Sequence, residues 1–304
     1  MTAPYDHEAL WIKAKLFLNR AMDDEDARAF DERALWASLA LELLAKAALA
    51  RVTPALIADP SEDGINLLIA SGLVEGDPRF LSVRAKTIFS RCQRAFKPFN
   101  AKEAEIFTSA RNEYLHSSGI GFATIPPRAW WPRYWSLVIV LIAALEKELE
   151  ELVGADRQQE VEDHLAQNTK NIEHRTETLI ERAKLRLAQF RGGTLPAKVA
   201  AEFRPGFDRT AGLRYREPET CPACGEMGTL EGDEVSNTEI EYEQVDDYDF
   251  VPTVTLTIES EFFSCPTCQL VLDSYELINQ AGLSDSFYTE GDEHDVREPD
   301  YGND

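Results

Sequence analysis

Apolar residues recur at three- and four-residue spacing through the first 190 positions of this chain, and the pattern then gives way to short alternating runs. Over 7–22 it places Leu10, Trp11, Ala14, Phe17 and Leu18 on one helical face. From about 27 to 52 an Ala- and Leu-rich run forms a second helix, with Glu42 and Lys46 four residues apart and able to pair; Pro54 and Pro60 stop it. A short helix over 65–71 closes at Gly72, before a turn through Gly76, Asp77 and Pro78. The helix predicted over 81–96 turns Val83, Ile88, Phe89 and Phe96 inward. The next, 101–116, carries a stripe of Ile106, Phe107, Ala110, Tyr114 and Leu115 and ends at Ser117, Ser118 and Gly119.

After Gly121, Pro126 and Pro127 a single long helix is expected over 128–153, aromatic in its first half and acidic in its second. Another follows over 155–190, with a thin stripe of Val161, Leu165, Ile172, Leu179 and Leu187 on a charged cylinder, the pattern of a helix that bridges or dimerises. Gly192, Gly193, Pro196, Pro205 and Gly206 mark a linker. Alternation then predicts strands over 238–245, 253–263 and 270–277, before an acidic tail that is expected to be disordered beyond 284. The fold class read from this pattern is mainly α. It comprises an antiparallel helical bundle (1–153), a connecting or dimerising helix (154–191), a linker (192–218), a small β module (219–280) and an acidic tail (281–304).

Charge changes this picture. The net charge of −23 is not shared evenly: residues 1–216 hold 30 basic and 30 acidic residues, whereas 217–304 hold one basic residue, Arg297, and 24 acidic ones. The only strongly positive segment is 79–102, where Arg79, Arg84, Lys86, Arg91, Arg94, Lys97 and Lys102 occur without an acidic residue. With 44% apolar residues the chain can build real cores. The longest uncharged apolar run, 135–145, is too short to span a bilayer, and the first residues lack a signal-peptide pattern, so a cytoplasmic protein without membrane contact is expected.

Two Cys-x-x-Cys knuckles, Cys221-Pro-Ala-Cys224-Gly and Cys265-Pro-Thr-Cys268, supply the chemistry of the β module. Two thiolate pairs on tight turns complete a tetrahedral shell, and the arrangement resembles a zinc ribbon with a structural Zn2+. Disulfides and a redox dithiol are the competing readings; an intracellular setting disfavours the first and the doubled motif the second. No Lys or Arg occurs over 217–296, while 21 Asp or Glu do, so direct nucleic-acid binding by this module is not expected. A regulatory protein partner, or a folding role alone, fits it better.

The remaining chemistry lies in Arg111-Asn112-Glu113-Tyr114-Leu115-His116. In a chain with 21 arginines this spacing alone says little. In its helical setting RNEYLHSS resembles the Arg-x4-6-His signature of HEPN domains, and ALELLAKAAL resembles that family's other recognisable helix, the similarity covering about residues 5–153. The resemblance implies an all-α homodimer and a metal-independent endoribonuclease in prokaryotic defence or toxin-like growth arrest. His116 would act as general acid or base, Arg111 would stabilise phosphorane charge and Asn112 would orient one of them. RNA would run along Arg84, Lys86, Arg91, Arg94 and Lys97. On an ideal helix five residues correspond to about 140°, so Arg111 and His116 do not share a face, whereas Asn112 and His116 do. A second copy, or a distortion, would have to complete the site. A non-catalytic scaffold or nucleotide sensor of the same family is the alternative; in a purely structural role His116 would cap the helix and Arg111 would pair with Glu105, Glu113 or a neighbour. Arg157 and His164 also meet the permissive spacing, but their acidic surroundings mark that match as chance.

Overall fold

The computed structural model describes residues 6–23, 28–61, 63–75, 81–119, 121–195, 200, 203–246 and 249–291, with backbone only over 242–246 and 249–252. Arg79, in the positive segment, and the tail beyond 291 lie outside the described residues. The chain divides into two compact units, 1–168 and 169–304, and the division falls within one long helix.

In the first unit α1 (His7–Met22) and α2 (Phe30–Val52) follow the sequence pattern closely. Asp6 caps α1 by accepting from the Glu8 amide, and Ala34, Ala37, Leu41, Leu44 and Ala48 of α2 are buried. The small side chains let neighbouring helices approach α2, which touches α1, α4, α5 and α6. A short α3 (Ile65–Ala70) precedes α4 (Ala85–Ala95). The helix expected from 81 starts later because 81–83 pair with another segment: Val83 N–H donates to Ile57 O at 3.1 Å, and Ala58 bridges Ser82.

Helix α5 (Ala101–His116) starts at Asn100, whose side chain accepts from the Glu103 amide at 3.0 Å. Its buried line is Ala101, Ala104 and Phe107, and the next position in that line is Arg111. The apolar stripe expected from spacing is only partly inward: Ile106, Tyr114 and Leu115 are 39%, 37% and 49% exposed. A 3-10 turn, Gly121–Thr124, docks against α5 so closely that a Cβ on Gly121 would meet Ala110 O at 2.4 Å.

The single helix expected over 128–153 is two helices, α6 (Pro127–Ala144) and α7 (Leu149–Val153). Glu146 takes a left-handed conformation (φ 53°), and the Lys147 amide bonds back to Ile142 O, which closes α6. A capping box between Glu148 and Glu151 then starts α7. The aromatic half of α6 anchors the core: Trp130 stacks on Tyr134 with centroids 5.0 Å apart, Phe107 meets Trp130 edge-on, and the buried Tyr134 hydroxyl donates to Ala37 O. Among the described residues no helix is long and apolar enough to cross a membrane.

Helix α8 (Gln158–Arg191) runs from the first unit into the second. In the second unit a four-stranded antiparallel sheet has the order β1 (Tyr215–Thr220), β2 (Met227–Gly232), β5 (Phe262–Ser264), β6 (Val271–Leu272). A three-stranded antiparallel sheet holds β3 (Val235–Asp246), β4 (Asp249–Glu259) and β7 (Ser286–Glu290). The strand expected over 253–263 is therefore split between the sheets, with Ser260 and Glu261 crossing from one to the other. The strand expected over 270–277 is two residues long and is followed by α9 (Tyr275–Gln280), which buries Leu277 and Ile278. The stretch expected to be disordered after 284 contributes β7, because Phe287 enters the core and β4 offers its free edge, Glu259 opposite Ser286. Leu230, Phe263, Leu272, Leu256 and Ile258 form the centre of this core, joined by Ala183 and Leu187 of α8.

Candidate functional site

Two sets of chemistry-bearing residues were legible in the sequence, one in each unit. In the first, the helical period of α5 places Arg111 one turn beyond Phe107, in line with the core. Its side chain is only 12% exposed, and Nη1 donates to Glu42 Oε2 of α2 at 2.7 Å. Nε and Nη2 donate to Asn112 Oδ1 at 3.3 and 3.1 Å. Lys46 Nζ reaches the other Glu42 oxygen at 2.8 Å, so Glu42 accepts from two cations. Burial works to raise the Glu42 pKa, but Lys46 and Arg111 outweigh it and hold the carboxyl below its ordinary range.

His116 ends α5 and is exposed, as are Asn112 and Glu113. Arg111 and His116 thus present to different sides of the helix, as an ideal helix requires, and Asn112 is the residue that touches Arg111 while sharing the His116 side. Glu105 and Glu113 are not the partners of Arg111; Glu42 is. The sequence signal for that pair was the line Ala101, Ala104, Phe107, Arg111. A shallow cleft of about 420 Å³ on the solvent side of α5 is lined by Lys102, Ser109, Glu113 and Thr124 among others, and neither Arg111 nor His116 lines it. Tyr114, next to this helix end, donates to Asp31 at 3.0 Å.

The positive segment is less uniform than its sequence. Arg84, Lys86, Arg94 and Lys97 are exposed, and Lys86 lies 3.8 Å from Glu105. Arg91 is half-buried and donates to Leu56 O, which ties α4 to the 3-10 turn Pro54–Leu56 after α2. The second Arg/His match is structural. Arg157 donates to Asn19, and His164 stacks on Trp131 with centroids 6.4 Å apart. Burial, with help from Arg33 and against Glu160 and Asp163, lowers the His164 pKa.

In the second unit the cysteine knuckles occupy the β1–β2 and β5–β6 turns. Each has the same backbone form. The Gly225 amide donates to Cys221 O and the Cys221 amide to Glu226 O; the Gln269 amide donates to Cys265 O and the Cys265 amide to Leu270 O. The residue after the second cysteine is left-handed in both, Gly225 at φ 74° and Gln269 at φ 58°. Pairing of β2 with β5 brings the turns together, so the sulfur atoms of Cys221, Cys224, Cys265 and Cys268 all lie within 4.8 Å of one another. Sγ–Sγ separations of 3.5 Å (Cys221, Cys268) and 3.6 Å (Cys224, Cys265) are far beyond a disulfide bond. They approach the roughly 3.8 Å edge of a tetrahedron with metal–sulfur bonds of about 2.3 Å. Four cysteines this close could hold a metal ion such as zinc. Hydrogen bonds from Cys221 and Cys268 hold the Cys265 thiol well below its usual range, and the same contacts push Cys221 up to about 12 and Cys268 up as well. Cys92, the fifth cysteine, is buried between α4 and α2, and burial raises its thiol pKa. Comparison of the chain with protein-family models, with curated proteins and with solved structures gave no significant match.

Proposed function

We propose that the chain is a metal-independent endoribonuclease of HEPN type, acting in prokaryotic defence or toxin-like growth arrest, whose site is completed by a second copy of the chain. The observation that carries the reading is the Asn112 link: it holds the Arg111 guanidinium on one side and lies on the His116 side of the same helix. In this reading His116 moves the proton during attack of the RNA 2′-OH on the adjacent phosphate, a task suited to an imidazole, which can both accept and donate a proton. Arg111 offers its charged fork to the phosphate oxygens as negative charge builds. The two groups point apart, so the partner's helix brings the complementary set, and Ile106 and Leu115, exposed on α5, supply apolar surface for that contact. Arg84, Lys86, Arg94 and Lys97 form the track for the RNA backbone, and Arg91 supports it by holding α4.

In the second unit the four cysteines hold a structural Zn2+, which closes the site to water and stabilises the fold of an acidic ribbon used for a regulatory protein partner. The test of the nuclease reading is cleavage of single-stranded RNA by zinc-loaded protein in magnesium-free buffer, wild type against His116→Ala. A loss of at least about 100-fold is expected. Equal cleavage by the two proteins, or no cleavage by wild type, refutes it.

One observation favours a second reading, a non-catalytic scaffold or nucleotide sensor: Arg111 is already engaged by Glu42 in a mostly shielded pair. That reading predicts no cleavage at all, with Arg111→Gln and Glu42→Gln acting on stability alone.

A further inference from the structure

The acidic zinc-ribbon sequence lacks basic residues, but the fold brings three arginines to its second knuckle. Arg182 and Arg186 come from α8 and Arg209 from the segment before β1; with Cys268, Gln269 and Leu270 they line a cavity of about 190 Å³. That is more than ten times the room a single water needs and less than the usual drug-sized pocket, which suits a small group such as a phosphate.

Among the described residues no carboxylate pairs with these arginines. Among the described residues Arg182 and Arg186 have neither a hydrogen bond nor an ion pair. Carboxylates are nonetheless at hand, since Arg175 pairs with Asp273 at 2.9 Å and Lys184 with Glu181 at 2.8 Å. Arg182 and Arg186 are four residues apart, neighbours on one helix face, where like charges repel. They also precede the last turn of α8, beyond the reach of the helix dipole. Arg209 is held in place: it donates to Gln269 Oε1 at 3.2 Å, and its segment is pinned where Ala211 and Gly212 donate to the buried Glu231 carboxylate and Gly206 to Pro266 O. Gln269 takes the left-handed position that glycine fills in the first knuckle, and its side chain also donates to Arg204 O. The knuckle therefore orients Arg209 toward the cavity.

We propose that this cavity binds a phosphomonoester, the dianionic terminal phosphate of a nucleotide or of an RNA strand. Three arginines line one small space, and a guanidinium is a planar fork suited to phosphate oxygens. A dianion relieves the repulsion between Arg182 and Arg186, and Leu270 and Val271 contribute apolar surface to the lining. The site does not depend on the nuclease reading, because binding is measured without cleavage.

The experiment is calorimetric titration of the zinc-loaded full chain, carrying His116→Ala to prevent turnover, with four probes: inorganic phosphate, AMP, a short single-stranded RNA with a 5′-phosphate, and the same RNA without it. The phosphorylated RNA is expected to bind at least tenfold tighter than its unphosphorylated form, and Arg182→Gln/Arg186→Gln to remove that difference while keeping one zinc per chain. AMP as tight as the phosphorylated RNA assigns the ligand to free nucleotides, and AMP at least tenfold weaker assigns it to a strand end; both uphold the pocket. Equal binding of the two RNAs, no binding of any phosphorylated probe, or unchanged binding by the variant overturns it. So does loss of zinc from the variant, which would give the arginines the task of balancing thiolate charge.

Discussion

Replacing Glu42 by Gln tests whether the α2–α5 contact depends on charge. The carboxylate is 20% exposed and accepts from Arg111 at 2.7 Å and Lys46 at 2.8 Å, with those side chains 12% and 14% exposed. Glutamine keeps the shape but leaves two shielded cations with no counter-charge. Losing one partner of a buried pair costs about 3–5 kcal/mol, and the residual exposure of Glu42 places this case at the lower end, about 3 kcal/mol. All five tryptophans, Trp11, Trp36, Trp130, Trp131 and Trp135, lie in the first unit, so tryptophan fluorescence during urea unfolding reads that unit alone. With a slope of about 2 kcal/mol per molar urea, the midpoint should fall by about 1.5 M.

The pH dependence supplies an internal control. Because the folded-state pKa of Glu42 is lowered from 4.5, its contribution is fully present above that value and disappears as pH falls through the lower folded value. Wild type and variant should therefore differ at pH 7, begin to converge as pH falls below 4.5, and match only once pH is below the lowered folded value. A midpoint shift under about 0.3 M, or a difference that stays constant with pH, would refute the assignment of Arg111 to this charge pair.

Three further outcomes follow from the same geometry. Cys224→Ser should abolish stoichiometric zinc binding, read by metal analysis, while the fluorescence-detected unfolding of the first unit is unchanged; retention of one zinc per chain would contradict a four-cysteine centre. Gly121→Ala should destabilise the first unit by about 1–3 kcal/mol, since the new methyl meets the Ala110 carbonyl in a backbone conformation at φ 35° that glycine alone adopts freely; an unchanged urea midpoint would show that the turn can shift. Cys92 should resist a thiol reagent in the folded, zinc-loaded protein and react only on unfolding, because burial disfavours its thiolate; a fast-reacting fifth thiol in native protein would place it at the surface.

Local patterns carried a good part of this protein. The period in α1 and α2 gives their faces because each residue there needs only its neighbours three and four positions away. The cysteine knuckles are equally local: two residues between cysteines, a proline inside each pair, and a glycine after the first are enough to build a thiolate-bearing turn. The positive run at 84–97 was legible as charge, but not the use of Arg91 to hold Leu56, which depends on where α2 ends. Ile106, Tyr114 and Leu115 read as an inward stripe, yet the space inside is taken by Ala101, Ala104 and Phe107 against Trp130 and Tyr134. Strand β7 was missed because an acidic segment with one Phe is a strand only when β4 leaves an edge open beside it.

Sequence alone thus determined the helical and β halves, the four cysteines and the separation of Arg111 from His116 around a helix, since all of these follow from short-range spacing and residue chemistry. Tertiary structure decided which charges meet. Glu42 lies 69 positions before Arg111, and Arg182 stands on α8 while Arg209 stands in the linker that follows it, so their proximity depends on how helices and turns pack and not on any local pattern. Electrostatic interactions act through space over a few ångströms, and a count of charges along the chain therefore does not show which arginines line the cavity at the second knuckle.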